Sequence, residues 1–235
     1  MTLELVVRPD RPAPTAWPVL DRRTVDALDA SFAEAPASEI VSWAVEAFGS
    51  RLALTASMTD AVLIDLAVAA DPAIEVVFID TGYHFPETLD TVERVRRHYG
   101  LNLRIMTVAP HDTELWRVDP ERCCSAVKVG QLDRALTTKA AWMSGGRRVE
   151  SPSRASLRVV DLDNRGLVKI SPLASWSDGD VTDYITRHGV PTNPLLERGY
   201  PSIGCAPCTS PVADGANPRS GRWSGSDKTE CGLHI

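Results

Sequence analysis

The sequence has little of several features that would assign a protein to a class at once. No apolar run approaches the roughly 20 residues that a membrane-spanning helix needs, and the first residues lack the basic and apolar regions of a secretory signal. Acidic residues outnumber basic ones by 31 to 25, which argues against non-specific nucleic-acid binding. We therefore expect a cytoplasmic protein with no membrane and no nucleic-acid partner.

Cysteine is also scarce, with five residues in a chain of 235, far fewer than a disulfide scaffold contains. In a protein that is not exported, free thiols or metal ligands are expected rather than disulfides. The information therefore lies in the spacing of the cysteines, which fall into an adjacent pair, a Cys-x-x-Cys pair and one near the C-terminus: Cys123, Cys124, Cys205, Cys208 and Cys231.

The middle of the chain alternates between strand-like and helical patterns. This alternation predicts an α/β fold with a mostly parallel sheet and helices on both faces. Residues 1–20 contain four prolines and are expected to form a flexible leader, residues 21–209 a single α/β domain, and residues 210–235 a mobile tail. The pattern predicts strands over 51–56, 75–79 and 101–108, and helices over 60–70, 86–99 and 125–136.

Ligands of a parallel sheet bind beyond the carboxyl ends of the strands, where this sequence places two short loops. In the first, the hydroxyls of Ser57 and Thr59 and the start of a helix could cradle an anion, although such residues also serve as plain helix caps. The second contains Gly82 and could contact a ligand or form a tight turn capped by Asp80. A third segment pairs two glycines with Arg147 and Arg148 and is interpreted as an anion site or as a solvated basic turn.

Four of the cysteines could close a tetrahedral zinc site or an iron–sulfur site, and the spacing leaves both open. Two adjacent ligands, Cys123 and Cys124, imply an unusual local backbone because neighbouring side chains at a helix start point apart. Lys128 follows one turn later on the same side, where its charge would offset that of thiolate ligands. The Cys205–Cys208 pair could instead be a redox pair, but it lies late in the chain and in a Gly/Pro loop.

The fifth cysteine, Cys231, lies in a polar, glycine-containing context near the end of the chain. His234 or Lys228 could hold its thiolate, and Arg219 and Arg222 precede it. A lone terminal cysteine is either a nucleophile or of no functional consequence, and its context alone leaves both open.

Taken together, these segments resemble the assimilatory adenylyl-sulfate (APS) reductases, the iron–sulfur type of the APS/PAPS reductase family. The resemblance runs from about residue 38 to the last residue. The motifs that carry the resemblance are Cys123-Cys124 and residues 80–82, 86–88, 146–148, 151–155, 200–208, 220–223 and 230–234. The loop at 57–63 departs from the pattern, because relatives of this fold commonly have a glycine there.

The resemblance implies an adenine nucleotide α-hydrolase-like fold and the reduction of adenosine 5′-phosphosulfate to sulfite and AMP in sulfate assimilation. It implies one 4Fe–4S cluster on the two cysteine pairs and Cys231 as the nucleophile. Sister enzymes that act on the 3′-phosphorylated nucleotide (PAPS) generally lack the cluster cysteines, so APS is the expected substrate. The residues expected to bind it are Ser57, Thr59, Gly82, Lys128, Arg147, Arg148, Arg219, Arg222 and His234.

A Cys231 S-sulfonate needs a second thiol to release sulfite, and four of the five cysteines are then committed to metal. We therefore expect thioredoxin to act as the reductant and the glycine-rich stretch 212–227 to open and close as a lid. The alternatives are a PAPS reductase, a zinc-stabilised nucleotide-binding redox module, and an adenylating ATP pyrophosphatase. An ATP pyrophosphatase of this kind would use a Ser-Gly-Gly-x-Asp-Ser phosphate loop, which residues 57–60 of this chain do not have. A homo-oligomer is compatible with the sequence.

Overall fold

The computed structural model describes residues 20–108, 115–213, 215–223, 228 and 230, and all structural statements below concern these residues. They form a six-stranded sheet from β1 (Leu52–Thr55), β2 (Glu75–Asp80), β3 (Asn102–Thr107), β4 (Ala141–Ser144), β5 (Val160–Leu162) and β6 (Val168–Ile170). The strand order is β3-β2-β1-β4-β6-β5, and every neighbouring pair is parallel except β5 with β6. The predicted mostly parallel sheet is confirmed.

Eight α-helices and one π-helix accompany the sheet in this part of the chain. The α-helices are α1 (Arg22–Ser31), α2 (Ala37–Phe48), α3 (Val62–Ala70), α4 (Pro86–Tyr99), α5 (Leu115–Val118), α6 (Pro120–Arg122), α7 (Gly130–Leu136) and α8 (Asp178–His188), and the π-helix Cys123–Val129 joins α6 to α7. The segment predicted as one helix from residue 125 is therefore helical but begins earlier and changes its winding. Helix α4 starts with Pro86 at its first turn and ends before Gly100, whose φ of 62° is favourable for glycine.

The two faces of the sheet are covered by different helices because strand side chains alternate in direction. On one face, Leu54 of β1 and Phe78 of β2 join the large core with helices α1 to α4. On the other face, Ala53, Val77 and Trp142 pack against Leu132, Ala135 and Leu136 of α7. Helices thus lie on both faces, as predicted.

The order of the strands creates a switch point between β1 and β4. From β1 the chain builds outwards through α3, β2, α4 and β3, and after α5 to α7 it returns on the other side of β1 as β4. Connections therefore diverge from the carboxyl ends of β1 and β4, which leaves a crevice there. No described helix has the length and apolar character required to cross a bilayer.

The residues after Thr209 contain no helix or strand up to Trp223 within the described part, but they are packed. Ser210 N donates to Gly221 O at 2.8 Å, Val212 N to Gly199 O at 2.8 Å, and Trp223 N to Cys208 O at 3.0 Å. The Trp223 side chain is buried. Contacts with the body of the protein therefore continue past residue 210, where the sequence predicted the mobile tail to begin.

Candidate active site

A cavity of about 450 Å³ opens at the carboxyl ends of β1, β2 and β4, at the switch point of the sheet. Thr55 and Ser144, the last residues of β1 and β4, both reach its lining. The cavity thus lies where the predicted loops were expected to meet.

One wall of the cavity is apolar. It is formed by Leu63 and Ile64 of α3, by Val181 and Ile185 of α8, and by Leu173 between β6 and α8. An apolar slot between two helices suits a planar, weakly polar group such as a nucleobase.

Another part of the lining is charged, with five cations against three carboxylates in a protein of net charge −6. The cations are Lys128, Arg147, Arg154, Arg219 and Arg222, and the carboxylates are Asp60, Glu150 and Asp178. Burial raises the pKa of Asp60, although Val62 N–H and Arg147 oppose that rise. This end of the cavity is therefore suited to anionic groups.

Of the two predicted arginines on the β4 loop, Arg147 faces the cavity. Its Nη2 lies 2.8 Å from Asp178 Oδ1 and its Nε 3.8 Å from Glu150 Oε1, while its buried Nη1 has no hydrogen-bond partner among the described residues. Arg148 is not in the lining, and its Nε donates to Leu157 O at 2.8 Å. Arg147 therefore presents a donor to the cavity, whereas Arg148 braces the loop.

Arg219 and Arg222 lie side by side at the mouth of the cavity. Both approach Ser202 Oγ, at 3.5 and 3.2 Å, and both guanidinium groups lie over the Trp223 ring, 5.7 and 4.4 Å from its centre. Burial lowers the pKa of Arg219, and Glu230 opposes that shift. The aromatic ring thus fixes two cations that the sequence placed three residues apart.

Ser57 and Thr59 line the cavity, in a loop whose backbone is held in an uncommon conformation. Met58 between them has a φ of 60° although it is not glycine, and its side chain is fully buried. Buried Asn193 holds this loop, since its Nδ2 donates to Met58 O at 3.2 Å and to Thr88 Oγ1 at 3.1 Å. Relatives of this fold commonly have a glycine in this loop. Here Met58 adopts the positive φ instead, and the surrounding packing offsets the backbone strain.

Gly82 does not reach the cavity lining. Its N–H donates to Asp80 Oδ1 at 2.9 Å and its φ is 74°, so it forms the capped tight turn that the sequence offered as the alternative. Next to it, His84 does line the cavity, with Nε2 3.0 Å from Ile79 O. Burial lowers the pKa of His84, which favours the neutral ring.

The adjacent cysteine pair opens the π-helix, the unusual local backbone that two neighbouring ligands require. A π-helix is wider than an α-helix, so Lys128, five residues after Cys123, returns to the same side. Lys128 lines the cavity and favours the Cys123 thiolate electrostatically. The wider turn therefore connects the cysteine pair to the anion-binding end of the cavity.

The second cysteine pair is held against the end of β2. Cys205 forms an isolated antiparallel bridge with His84, Thr81 Oγ1 lies 3.3 Å from Cys205 Sγ, and Ala206 N donates to Tyr83 O at 2.7 Å. Cys208 follows in a single 3₁₀ turn. The loop after Pro201 is thus fixed by the turn that contains Gly82.

The four thiols are close enough to perturb one another. Burial raises the pKa of Cys123 to about 11, and charge on Cys124 and Cys205 adds to that rise. Burial likewise raises the pKa of Cys208 to about 11, and the other three cysteines add to the effect. All four are reduced and half-buried.

The donor set suits either kind of metal centre that the sequence leaves open. Four neighbouring reduced thiols are the ligands of a tetrahedral zinc ion, and equally of a 4Fe–4S cluster, which takes one thiolate at each iron.

Cys231 and His234 lie outside the described residues. Two residues just before them are described. Lys228 pairs with Glu121 Oε2 at 2.5 Å, and Glu230 is buried. The alternative in which Lys228 holds the Cys231 thiolate therefore competes with this ion pair.

Several lining residues received no role from the sequence. Ser144, with a buried Oγ that has no partner in the described part of the chain, belongs to a segment noted only for its glycines and arginines. Arg154 lies in the motif 151–155, which contributes to the family resemblance. That motif is the one sequence signal that could have indicated a role for Arg154. The sequence assigns no role to Asp178, because only the fold brings it to Arg147.

Comparison with known proteins agrees with this geometry. Residues 51–211 match the family described as phosphoadenosine phosphosulfate reductase domain. The adenosine 5′-phosphosulfate reductase of Streptomyces coelicolor is 48% identical over 232 residues, covering 92% of this chain and 98% of that protein. The one from Mycolicibacterium smegmatis is 45% identical over 217 residues, covering 88% and 91%. The crystal structure of a phosphoadenylyl-sulfate reductase from Candida auris, a phosphate complex, is 30% identical with a TM-score of 0.72 and covers 82% of this chain and 98% of that one.

Proposed function

The chain belongs to the phosphoadenosine phosphosulfate reductase domain family, and from this we infer that it reduces adenosine 5′-phosphosulfate to sulfite and AMP in sulfate assimilation. The observation that carries this function is the near full-length match to a relative of that name, 48% identical. The cavity supports it, because it combines an apolar slot for adenine with a cationic end for the phosphosulfate.

We propose APS rather than PAPS as the substrate. Three carboxylates, Asp60, Glu150 and Asp178, line the cavity. Two of them, Glu150 and Asp178, already engage Arg147, so a further phosphate on the ribose that lay beside this pair would meet negative charge. A ribose hydroxyl, by contrast, can donate a hydrogen bond to a carboxylate.

We propose that Cys123, Cys124, Cys205 and Cys208 hold one 4Fe–4S cluster. When bound, the cluster supplies a fixed scaffold and a local field, since thiol chemistry already accounts for both electrons. Lys128 follows the first cysteine pair along the π-helix and lies at the cationic, anion-binding end of the cavity. The residues proposed to bind the phosphosulfate are Ser57, Thr59, Lys128, Arg147, Arg219, Arg222 and His234.

The proposed nucleophile is the thiolate of Cys231. It attacks the sulfur of APS, the bond from sulfur to the bridging oxygen breaks, and AMP leaves with that electron pair. The cationic lining stabilises the charge that develops on the leaving phosphate. The product on the enzyme is a cysteine S-sulfonate.

We propose thioredoxin as the second substrate and the cytoplasm, where thiols stay reduced, as the compartment. One thioredoxin thiolate attacks Cys231 Sγ and expels sulfite with the electron pair of the S–S bond. The second thioredoxin thiol then resolves the mixed disulfide, so Cys231 is restored and thioredoxin leaves oxidised.

Serine variants test the division of roles among the five cysteines. A variant that lacks any one of the four proposed ligands should lose its iron, its brown colour and the absorption that iron–sulfur proteins show at about 400 nm. Cys231→Ser should keep both and release no sulfite from APS. A colourless zinc protein, or a Cys231→Ser variant that loses iron, would contradict the assignment.

A further inference from the structure

The carboxylate of Glu230 is enclosed by four side chains from two other parts of the chain. Ser151 Oγ, Ser153 Oγ and Arg154 Nε donate to its Oε1 at 3.0, 3.1 and 3.0 Å, and Arg154 Nη2 and Arg219 Nη2 donate to its Oε2 at 2.9 and 3.2 Å. The residue is 8% exposed. We call these four donor residues, Ser151, Ser153, Arg154 and Arg219, the carboxylate socket.

The socket is specific for a planar anion. Arg154 grips both oxygens of the carboxylate through two parallel N–H groups, the strongest geometry available to an ion pair, and the two hydroxyls complete the coordination of Oε1. Although burial alone would raise the pKa of Glu230, the hydrogen bonds and charge of Arg154, together with Arg219, lower it to about 2. Glu230 is therefore fully ionised in the socket at neutral pH.

The carboxylate socket adjoins the cavity and shares two residues with its lining. Arg154 and Arg219 both line it, and Arg154 also pairs with Glu150, another lining residue. The next residue in the chain is Cys231, and consecutive Cα atoms are about 3.8 Å apart. The carboxylate socket thus fixes the chain one residue before the proposed nucleophile.

We propose that Glu230 is a positioning residue, whose docking in the carboxylate socket holds Cys231 at the cavity for attack on the substrate sulfur. This inference rests on the proposed function. It has a kinetic consequence, because the S-sulfonate must next be reached by a second protein, which requires Cys231 to be accessible. Docking therefore accelerates sulfonate transfer and does not accelerate the reduction that follows.

The test separates the two half-reactions. Iron-loaded protein is mixed with saturating APS without reductant, and intact-mass spectrometry follows the addition of one SO₃ group, about 80 Da on the nucleophile. Reduced thioredoxin is then added and loss of the adduct is timed. The variants are Glu230→Gln, which removes the charge and one acceptor, and Glu230→Asp, which keeps the charge.

A third variant, Ser151→Ala with Ser153→Ala, weakens the socket through two hydroxyls outside the cavity lining. It keeps the test decisive where Glu230→Gln does not fold. Glu34→Gln, an exposed carboxylate after α1, is the matched control. Iron content and the Kd for AMP are measured for every variant, since a purely structural defect would change them.

We expect Glu230→Gln to slow adduct formation roughly ten- to a hundredfold, with Kd for AMP and the rate of adduct clearance little changed. Glu230→Asp should recover part of the rate, the double serine variant should be intermediate, and Glu34→Gln should match the wild type. Adduct formation by Glu230→Gln at the wild-type rate, or equal slowing of both half-reactions, would overturn the positioning role alone. A wild-type protein that forms no adduct would overturn the proposed function and this inference with it.

Discussion

A methyl group added at Gly204 should displace Arg222 from the mouth of the cavity. A Cβ built on Gly204 would lie 2.2 Å from Arg222 Nη2 and 2.5 Å from its Cζ, and all three nearest atoms belong to that flexible side chain. Gly204 does not have a positive φ, so alanine is tolerated by the backbone. Gly204→Ala should therefore move the guanidinium rather than unfold the loop.

The expected loss of stability and activity in Gly204→Ala follows from the contacts that Arg222 gives up. Leaving the Trp223 ring at 4.4 Å and Ser202 Oγ at 3.2 Å should cost roughly 1–3 kcal/mol of unfolding free energy, which lowers Tm by several degrees. The loss of one charge-assisted contact with the substrate anion should lower kcat/KM for APS about ten- to a hundredfold.

The assay compares Gly204→Ala with Arg222→Ala and with Gly130→Ala, whose added methyl meets nothing within 4 Å. Steady-state kinetics with APS and reduced thioredoxin should show similar losses for the first two variants and none for the third. If Arg222→Ala loses activity while Gly204→Ala keeps it, Arg222 acts from a position other than the one over Trp223. If neither loses activity, Arg222 does not bind substrate.

Three further predictions follow from the site. Arg147→Ala should lower kcat/KM about ten- to a hundredfold through loss of a cavity donor, whereas Arg148→Ala, outside the lining, should mainly lower Tm; the reverse pattern would exchange their roles. Because the folded pKa of Glu230, about 2, lies below its ordinary 4.5, its contribution to stability is complete above pH 4.5 and is lost as the pH falls towards 2. The difference in unfolding free energy between wild type and Glu230→Gln should thus shrink from about 3 kcal/mol at pH 7 towards zero, and a difference constant with pH would contradict the lowered pKa. Asn193→Ala should destabilise the protein by about 2–4 kcal/mol in urea, because it leaves buried partners unsatisfied and releases Met58 from its positive φ; an unchanged midpoint would mean that Met58 is held by packing alone.

Local patterns in the sequence predict the part of the fold that is itself local. Strands β1 to β3 and helices α3 and α4 each carry enough periodicity to be located within one or two residues. Strands β5 and β6 have three residues each, too few for any alternation to be recognised, and their antiparallel pairing was not predicted. The adjacent cysteines predicted an irregular backbone, and a π-helix is the form that it takes.

Residues of the candidate site were predictable where the residue type suits the ligand and the residue also lies in a recognisable motif. Arg147, Arg219 and Arg222 satisfy both conditions and do reach the cavity. The carboxylate socket was not predictable, because Glu230 and Ser151 are 79 positions apart and nothing in either segment indicates contact with the other. Contacts of that range depend on the packing of the whole chain rather than on any local pattern.

The proposed function is tested most directly by a side-by-side measurement of sulfite and AMP release from APS and from PAPS by the iron-containing protein with reduced thioredoxin. We expect one sulfite for each AMP from APS, and a far lower kcat/KM for PAPS because Glu150 and Asp178 in the cavity lining oppose a second phosphate. AMP release without sulfite, or a kcat/KM for PAPS equal to or above that for APS, would contradict it.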